Sequence, residues 1–350
     1  MKIAIIGLGR VYEHYKNNFV SSLLENGHIV YLYDIDKKKC DRKLHPQHVN
    51  LSVAISFDQL INFGIDFAIV ATISGTHYHI SKQLLEAGVN VLTEKPATMK
   101  EIELCELINL SNSLSLKYGV IFQNRLNKSM KIAKELVEKK YLGDIKICSI
   151  KLHWCRYQNY YNDGWHGTWR QDGGVINQQA IHHIDAMQWI NGPFKQVAAF
   201  ASNQINLLEA EDTMTGLVQF ESGSVGTIEA STAIRPKDKE ASIFIAGTKG
   251  FVKVGGVALN KIVDYELPSL DKDLKDRLLK ASVNVSSGYG ESHKDVIYDF
   301  IDSIKFDKNP IISASSTINT VRAIHSLYKS SESRTWVNVD SKSVSDYLGN

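Results

Sequence analysis

Short apolar runs alternate with helix-spaced apolar positions through the first 120 residues. Lys2–Ile6 and Ile29–Tyr33 are strand-sized, as are 67–71, 89–92 and 120–122. Between them, 11–24, 80–87 and 101–114 carry apolar residues at intervals of three and four, and Gly27 and Gly88 stand as stops. Ser56 is placed to cap a short helix over 58–63. Continuous apolar strands separated by helices predict βαβ units around a parallel sheet covered on both faces.

The pattern changes near residues 122–127. A helix is predicted over 128–140 and a long strand over 145–154. An aromatic, glycine-containing loop spans 157–169, and one helix is predicted over 175–190, ending at Asn191-Gly192-Pro193. From 196 to 254, strand-like runs follow one another with turns at Ser222-Gly223 and Gly247–Gly250. Consecutive strands of this kind predict an antiparallel sheet. Helices at 270–282, 295–304 and 318–330 complete the chain. The division expected is an α/β, doubly wound domain at 1–122 and an α+β domain at 123–350.

Composition narrows the function by exclusion. The chain has 350 residues, 40 Lys and Arg against 38 Asp and Glu, and a net charge of +2. That balance argues against a nucleic-acid partner, which needs uncompensated cations along phosphates. No apolar run reaches the ~20 residues of a membrane span. The run from Ile3 stops at Gly7-Leu8-Gly9, so no secretion signal is expected. The four cysteines form no C-x-x-C pair, so no metal site is expected and a reducing, cytoplasmic location is.

Candidate chemistry begins at Gly7-Leu8-Gly9, directly after the first strand and opening a helix. The first glycine permits a tight turn, and the second lets a pyrophosphate approach the helix N-terminus. Arg10 and Val11 follow in the same turn. The third position of G-x-G-x-x-G is Tyr12, so this helix must pack differently there or turn Tyr12 aside. Asp34 ends the second strand, 25 residues past Gly9, where an acid binds the adenosine ribose. A carboxylate there favours NAD over NADP, although Lys37, Lys38 and Lys39 follow closely. Glu94-Lys95-Pro96 lies at another strand end, on the edge where ligands bind in an open α/β sheet.

Gly7-x-Gly9, Thr72–His77, Glu94-Lys95-Pro96 and the later His182 stand in the order seen in the Gfo/Idh/MocA oxidoreductases, which this sequence resembles to about Val337. The resemblance implies a second domain built on an open antiparallel sheet that mediates oligomerisation. It makes Lys95 a catalytic or substrate-holding lysine. It places Glu94 on the nicotinamide ribose and Thr72, Ser74 and His77 along the cofactor, with Gln123 in the same set. The family's D-x-G-x-H reads Gln178-Gln179-Ala180-Ile181-His182 here. Gln178 can hydrogen-bond but cannot take a proton. The proton work therefore falls on Lys95, on His182, or on both as a relay. His183 is the competing histidine, and Asp185 stands three residues beyond His182, equally placed to orient it or to form a structural ion pair.

The stretch Gly167–Gly174, with Asn177-Gln178, Ile181-His182 and Gln188-Trp189, further resembles bacterial UDP-N-acetyl-glucosaminuronate 3-dehydrogenases of surface-polysaccharide synthesis. Ser231-Thr232-Ala233 and Gly288–His293 resemble that group too. The implied reaction is NAD-dependent oxidation of a ring hydroxyl at C3 of a sugar nucleotide. Tyr160, Tyr161, Trp165 and Trp169 either offer flat faces to the sugar or cover the domain interface, and Trp169 and Arg170 can reach toward the cofactor. Arg156, Arg170 and Arg235 are candidates for a diphosphate or uronate carboxylate. The alternatives are a free-sugar or inositol dehydrogenase, an NAD-dependent glycosidase of the same family, and an NAD-binding regulator without turnover.

Overall fold

The computed structural model describes residues 1–268, 270–285 and 288–350. It separates into two compact units: Met1–Ile121 with His293–Ile318, and Phe122–Ser292 with Asn319–Asn350.

The first unit is built on six parallel strands: β1 (Lys2–Ile6), β2 (Ile29–Tyr33), β3 (Leu51–Val53), β4 (Phe67–Val70), β5 (Asn90–Glu94) and β6 (Tyr118–Ile121). Their order is β3-β2-β1-β4-β5-β6, so the chain reverses its direction of travel between β1 and β4. The expected doubly wound sheet is present, and that reversal opens the ligand crevice outside the strand C-termini. Strands β4 and β6 are buried along their whole length, as their unbroken apolar sequences require. The Ser56 hydroxyl accepts from the Gln59 amide and caps helix Phe57–Asn62.

The helix expected over 11–24 is interrupted. Arg10–Tyr15 and Ser21–Glu25 flank a π-helical turn, Lys16–Val20. Within it, the Asn18 side chain donates to the His14 carbonyl at 2.6 Å, offering that carbonyl a partner outside the regular ladder. Tyr12 is indeed turned aside: it is fully buried, with its hydroxyl 2.9 Å from His45 Nδ1. Helix His293–Lys305 lies against β6, where Phe300 crowds the Gly119 Cα.

The second unit carries an eight-stranded sheet. Its strands are β7 (Ile145–His153), β8 (Phe194–Ser202), β9 (Thr213–Phe220), β10 (Val225–Ser231), β11 (Glu240–Gly247), β12 (Phe251–Gly255), β13 (Lys261–Glu266) and β14 (Val337–Asn338). The order is β13-β12-β11-β7-β10-β9-β8-β14, and among the described residues only β7 with β10 is a parallel pair. The mainly antiparallel sheet expected from the strand run is therefore present. Its buried face, including Cys148, Ile150, Val218 and Ile228, packs against helices; the other face alternates to solvent.

The single helix predicted over 175–190 is two helices, Val175–Gln178 and Ile181–Asn191. The Ala180 amide reaches back five residues to the Val175 carbonyl at 2.8 Å, a wide turn that resets the helix. The i,i+4 spacing of Gln178 and His182 thus straddles a break.

Candidate functional site

Four loops leave the C-terminal edge of the first sheet close to its reversal, after β1, β2, β4 and β5. The turn after β1 is tight: Gly7 has φ +95°, and a Cβ there would meet the Ala71 carbonyl oxygen at 2.5 Å. Gly9 differs, since a Cβ there meets nothing within 4 Å. The opening beside Gly9 at the start of a helix is the cradle a pyrophosphate requires. Asp34 stands at the end of β2, where its carboxylate accepts from the Leu8 amide at 2.7 Å and the Asp36 amide at 2.8 Å. It is thereby fixed beside the Gly7–Gly9 turn, with further lone pairs available to hydroxyl donors. These features fit a dinucleotide.

Two of the three lysines after Asp34 are engaged. Lys39 Nζ lies 3.8 Å from Asp34, and Lys37 Nζ donates to the Ile55 carbonyl. Isothermal titration is expected to show NAD(H) binding much tighter than NADP(H). Equal affinities would mean that the lysines have taken over this site.

Glu94 is the last residue of β5, and the Lys95–Pro96 peptide is cis. Burial raises the Glu94 carboxyl pKa, opposed by the Tyr15 hydroxyl, which donates to Oε1, and by the Lys95 charge. The Lys95 amide donates to Glu94 Oε2 at 3.2 Å, and His293 Nε2 lies 3.7 Å from Oε1. Residues close to Glu94 in space but 79 and 199 positions away in sequence (Tyr15 and His293) were not legible as its partners. His77 is buried. Its Nδ1 lies 2.7 Å from the Pro96 carbonyl and its Nε2 3.1 Å from that of Thr72. It ties the loop after β4 to the loop after β5. Thr72 and Thr76 share a hydroxyl hydrogen bond of 2.8 Å, and Ser74 is buried in the same loop.

In the second unit, His182 is half-buried in the first turn of Ile181–Asn191, with its ring edge-on to Phe122 at 5.7 Å. His183 is buried, burial lowers its pKa to about 4, and neither ring nitrogen has a hydrogen-bond partner among the described residues. Asp185 is held by Arg125, which donates from Nε to Oδ2 at 2.7 Å and from Nη2 to Oδ1 at 2.5 Å. Of the two readings of Asp185, the structural ion pair is the one present. Gln178 is half-buried at the end of its short helix. Gln123 donates to the Tyr289 carbonyl at 3.2 Å.

The aromatic loop and the segment that follows β10 meet. The Arg156 guanidinium lies over Trp154 at 4.8 Å and Tyr160 at 5.7 Å, and donates to Asp238 at 3.0 Å. Arg235 lies over Tyr157 at 4.5 Å and donates to the Thr232 and Ile234 carbonyls and to Asn206. Tyr160 and Trp165 both contact the His166 ring. Trp169 packs against Tyr328 and Tyr347 within its own unit, while Arg170 is exposed.

One acid escaped sequence reasoning. Glu211 accepts from the Ile176 amide and the Tyr328 hydroxyl, both at 3.0 Å, at the start of the helix that carries Gln178. Burial raises its pKa to about 8, and the neighbouring Asp212 adds to the shift. The folded state thus holds a proton that the unfolded chain releases near its ordinary pKa of 4.5. The resulting stabilisation is complete below that value and is lost as pH rises toward about 8. Glu211→Gln removes this term. Thermal unfolding should therefore show the variant gaining on the wild type from about pH 4.5 to 8 and holding its advantage above. Parallel melting curves across that range would contradict it.

Comparison with known proteins agrees with this geometry. Residues 1–122 match the oxidoreductase-family NAD-binding Rossmann fold of Gfo/Idh/MocA, and residues 134–339 match that family's C-terminal alpha/beta domain. An uncharacterised oxidoreductase of Schizosaccharomyces pombe is 26% identical over 215 residues, which are 61% of this chain and 58% of that protein. Myo-inositol dehydrogenase Hyg17 of Streptomyces leeuwenhoekii is 23% identical over 265 residues, 74% of this chain and 78% of that protein. Among solved structures, the WlbA dehydrogenase of Chromobacterium violaceum, in complex with NADH and UDP-GlcNAcA, is 27% identical. It superimposes with a TM-score of 0.87, covering 97% of this chain and 95% of its own. The sheet order, the Gly7–Gly9 turn and both family matches agree: this chain belongs to the Gfo/Idh/MocA oxidoreductases, with an NAD-binding Rossmann domain followed by the family's C-terminal domain.

Proposed function

We propose that this protein oxidises a ring hydroxyl, at C3, of a UDP-linked N-acetyl sugar, most readily a uronate, in the cytoplasm and in the service of surface-polysaccharide synthesis. The observation that carries the reading is the likeness to a dehydrogenase crystallised with NADH and UDP-GlcNAcA, at 27% identity over nearly the whole chain. The retained Glu94-Lys95-Pro96 and His182 support it. When bound, NAD supplies the hydride acceptor.

The chain's own residues bind, orient and move the proton. Gly7, Gly9, Arg10 and Val11 line the pyrophosphate turn, and Asp34 takes the adenosine ribose. Thr72, Ser74, His77, Glu94, Gln123, Trp169 and Arg170 complete the cofactor's surroundings. Lys95 and His182 carry the proton released when the carbinol becomes a ketone, and Gln178 hydrogen-bonds the ring. Lysine is a base only where its pKa is depressed, whereas histidine titrates near neutrality. Tyr160, Trp165, Arg156 and Arg235 take the sugar and its acidic groups. The inositol dehydrogenase among the relatives favours a polyol substrate as the second reading. NADH formation with UDP-GlcNAcA but not with myo-inositol supports the first; the reverse supports the second.

The protein acts as a homo-oligomer in this reading. Ile147, Phe200, Leu217, Val225 and Trp336 all lie exposed in the second unit, and four of them line the solvent-facing strands β7 to β10. An apolar sheet face of that kind marks an interaction surface, here for a second copy. Light scattering should find a dimer or tetramer that Leu217→Lys breaks into smaller species. A wild-type monomer at micromolar concentration would contradict this.

A further inference from the structure

The buried Arg125–Asp185 pair has no part in the chemistry above, yet it sits one helical turn from His182. Its side chains are 5% and 1% exposed. Burying two charges is costly, and hydrophobic residues of similar volume often replace such a pair without loss of stability. What an apolar replacement lacks is direction. The guanidinium fork meets both carboxylate oxygens, at 2.7 and 2.5 Å, and the Thr320 hydroxyl adds a third donor to Oδ1 at 2.8 Å. Two parallel charge-assisted bonds fix the angle between their carriers as well as the distance.

Those carriers are informative. Asp185 belongs to Ile181–Asn191, the helix of His182; Arg125 belongs to the turn Gln123–Leu126, which directly follows Phe122. The Arg125 guanidinium lies over the Phe122 ring at 5.7 Å, and that ring meets His182 edge-on at 5.7 Å and 80°. The path from Asp185 through Arg125 and Phe122 to His182 therefore closes on the helix where it starts. The break at Gln179-Ala180 makes such a closure useful, because the preceding short helix does not extend rigidly into this one.

We infer that Arg125 and Asp185 are positioning residues for His182: their ion pair sets the helix angle and holds Phe122 as the surface that orients the imidazole. The inference rests on the proposed role of His182, and the test separates the two. The variant carrying Arg125→Met and Asp185→Leu together replaces the pair by apolar side chains. Its melting temperature is expected near that of the wild type. Arg125→Lys keeps the charge but loses the fork and the planar stack, and serves if the double variant does not fold. The readout is the carbon–proton NMR correlation of the histidine rings, with His182 assigned from its absence in His182→Gln. The ring current of Phe122 displaces the His182 signals in the wild type, and they are expected to move in either variant. Misplacing a catalytic group by about 1 Å costs up to ~100-fold, so kcat is expected to fall 10- to 100-fold with little change in NAD affinity. Signals unchanged in both variants overturn the clamp whatever the activity. Signals that move while kcat holds uphold the clamp and overturn the catalytic role of His182 instead.

Discussion

Lys95→Ala is expected to lower kcat by about 10²-fold or more while NAD binding changes little. A positioned acid or base contributes roughly 10²- to 10⁴-fold. Lys95 follows directly on β5, at the sheet edge that also presents the Gly7–Gly9 turn. Its backbone is tied down on two sides. Its amide donates to Glu94, and the Pro96 carbonyl is held by His77. Burial lowers the His77 pKa, with the Lys95 charge adding to it, and burial raises the Glu94 pKa against the opposing Lys95 charge. Alanine removes the amine and leaves the turn's backbone bonds intact. Stopped-flow and steady-state assays of NADH formation check this. Near-normal kcat would reduce Lys95 to a strand-end lysine.

Removing the UDP group from the substrate is expected to have the larger effect. A site built to hydrogen-bond a group rejects an analogue lacking it by about 10⁴- to 10⁵-fold, because its polar side chains are left unpaired. Arg156 and Arg235 are already stacked on Trp154, Tyr160 and Tyr157 and braced by Asp238, Asn206 and backbone carbonyls. Such bracing lowers the entropy lost on fixing a diphosphate or carboxylate. The expected result is kcat/KM for free N-acetylglucosamine or its uronate at least 10⁴-fold below that of the UDP derivative. Equal turnover of the free sugar would promote the polyol reading.

The parallel sheet of the first unit was legible because apolar strands alternate with helix-spaced segments through residue 122, but its edge strand Leu51–Val53, only three residues long, was not predicted. The dinucleotide turn and Glu94-Lys95-Pro96 were legible because their chemistry sits at strand ends, where position follows from the element alone. Tyr12 announced a departure from the fingerprint, but its partner His45 lies on a distant loop and could not be named. The π-helical turn at Lys16–Val20 and the break at Gln179-Ala180 were not legible. Helical periodicity runs through both, and what interrupts them is a side chain competing for a carbonyl in one case and a wide backbone turn in the other. Long-range polar pairing was hidden for the same reason. Arg125 and Asp185 are 60 residues apart, and Glu211 reads as an ordinary surface acid until Tyr328, 117 positions on, covers it.

The most direct measurement is mass spectrometry of the product formed with NAD from a panel of UDP-N-acetylhexosamines, their uronates, free sugars and myo-inositol. The account predicts a product two hydrogens lighter than a UDP-linked N-acetyl uronate, with the UDP still attached and the carbonyl at C3. Oxidation of myo-inositol or free N-acetylglucosamine as readily as of any nucleotide sugar, or release of a sugar without net NADH, would contradict it.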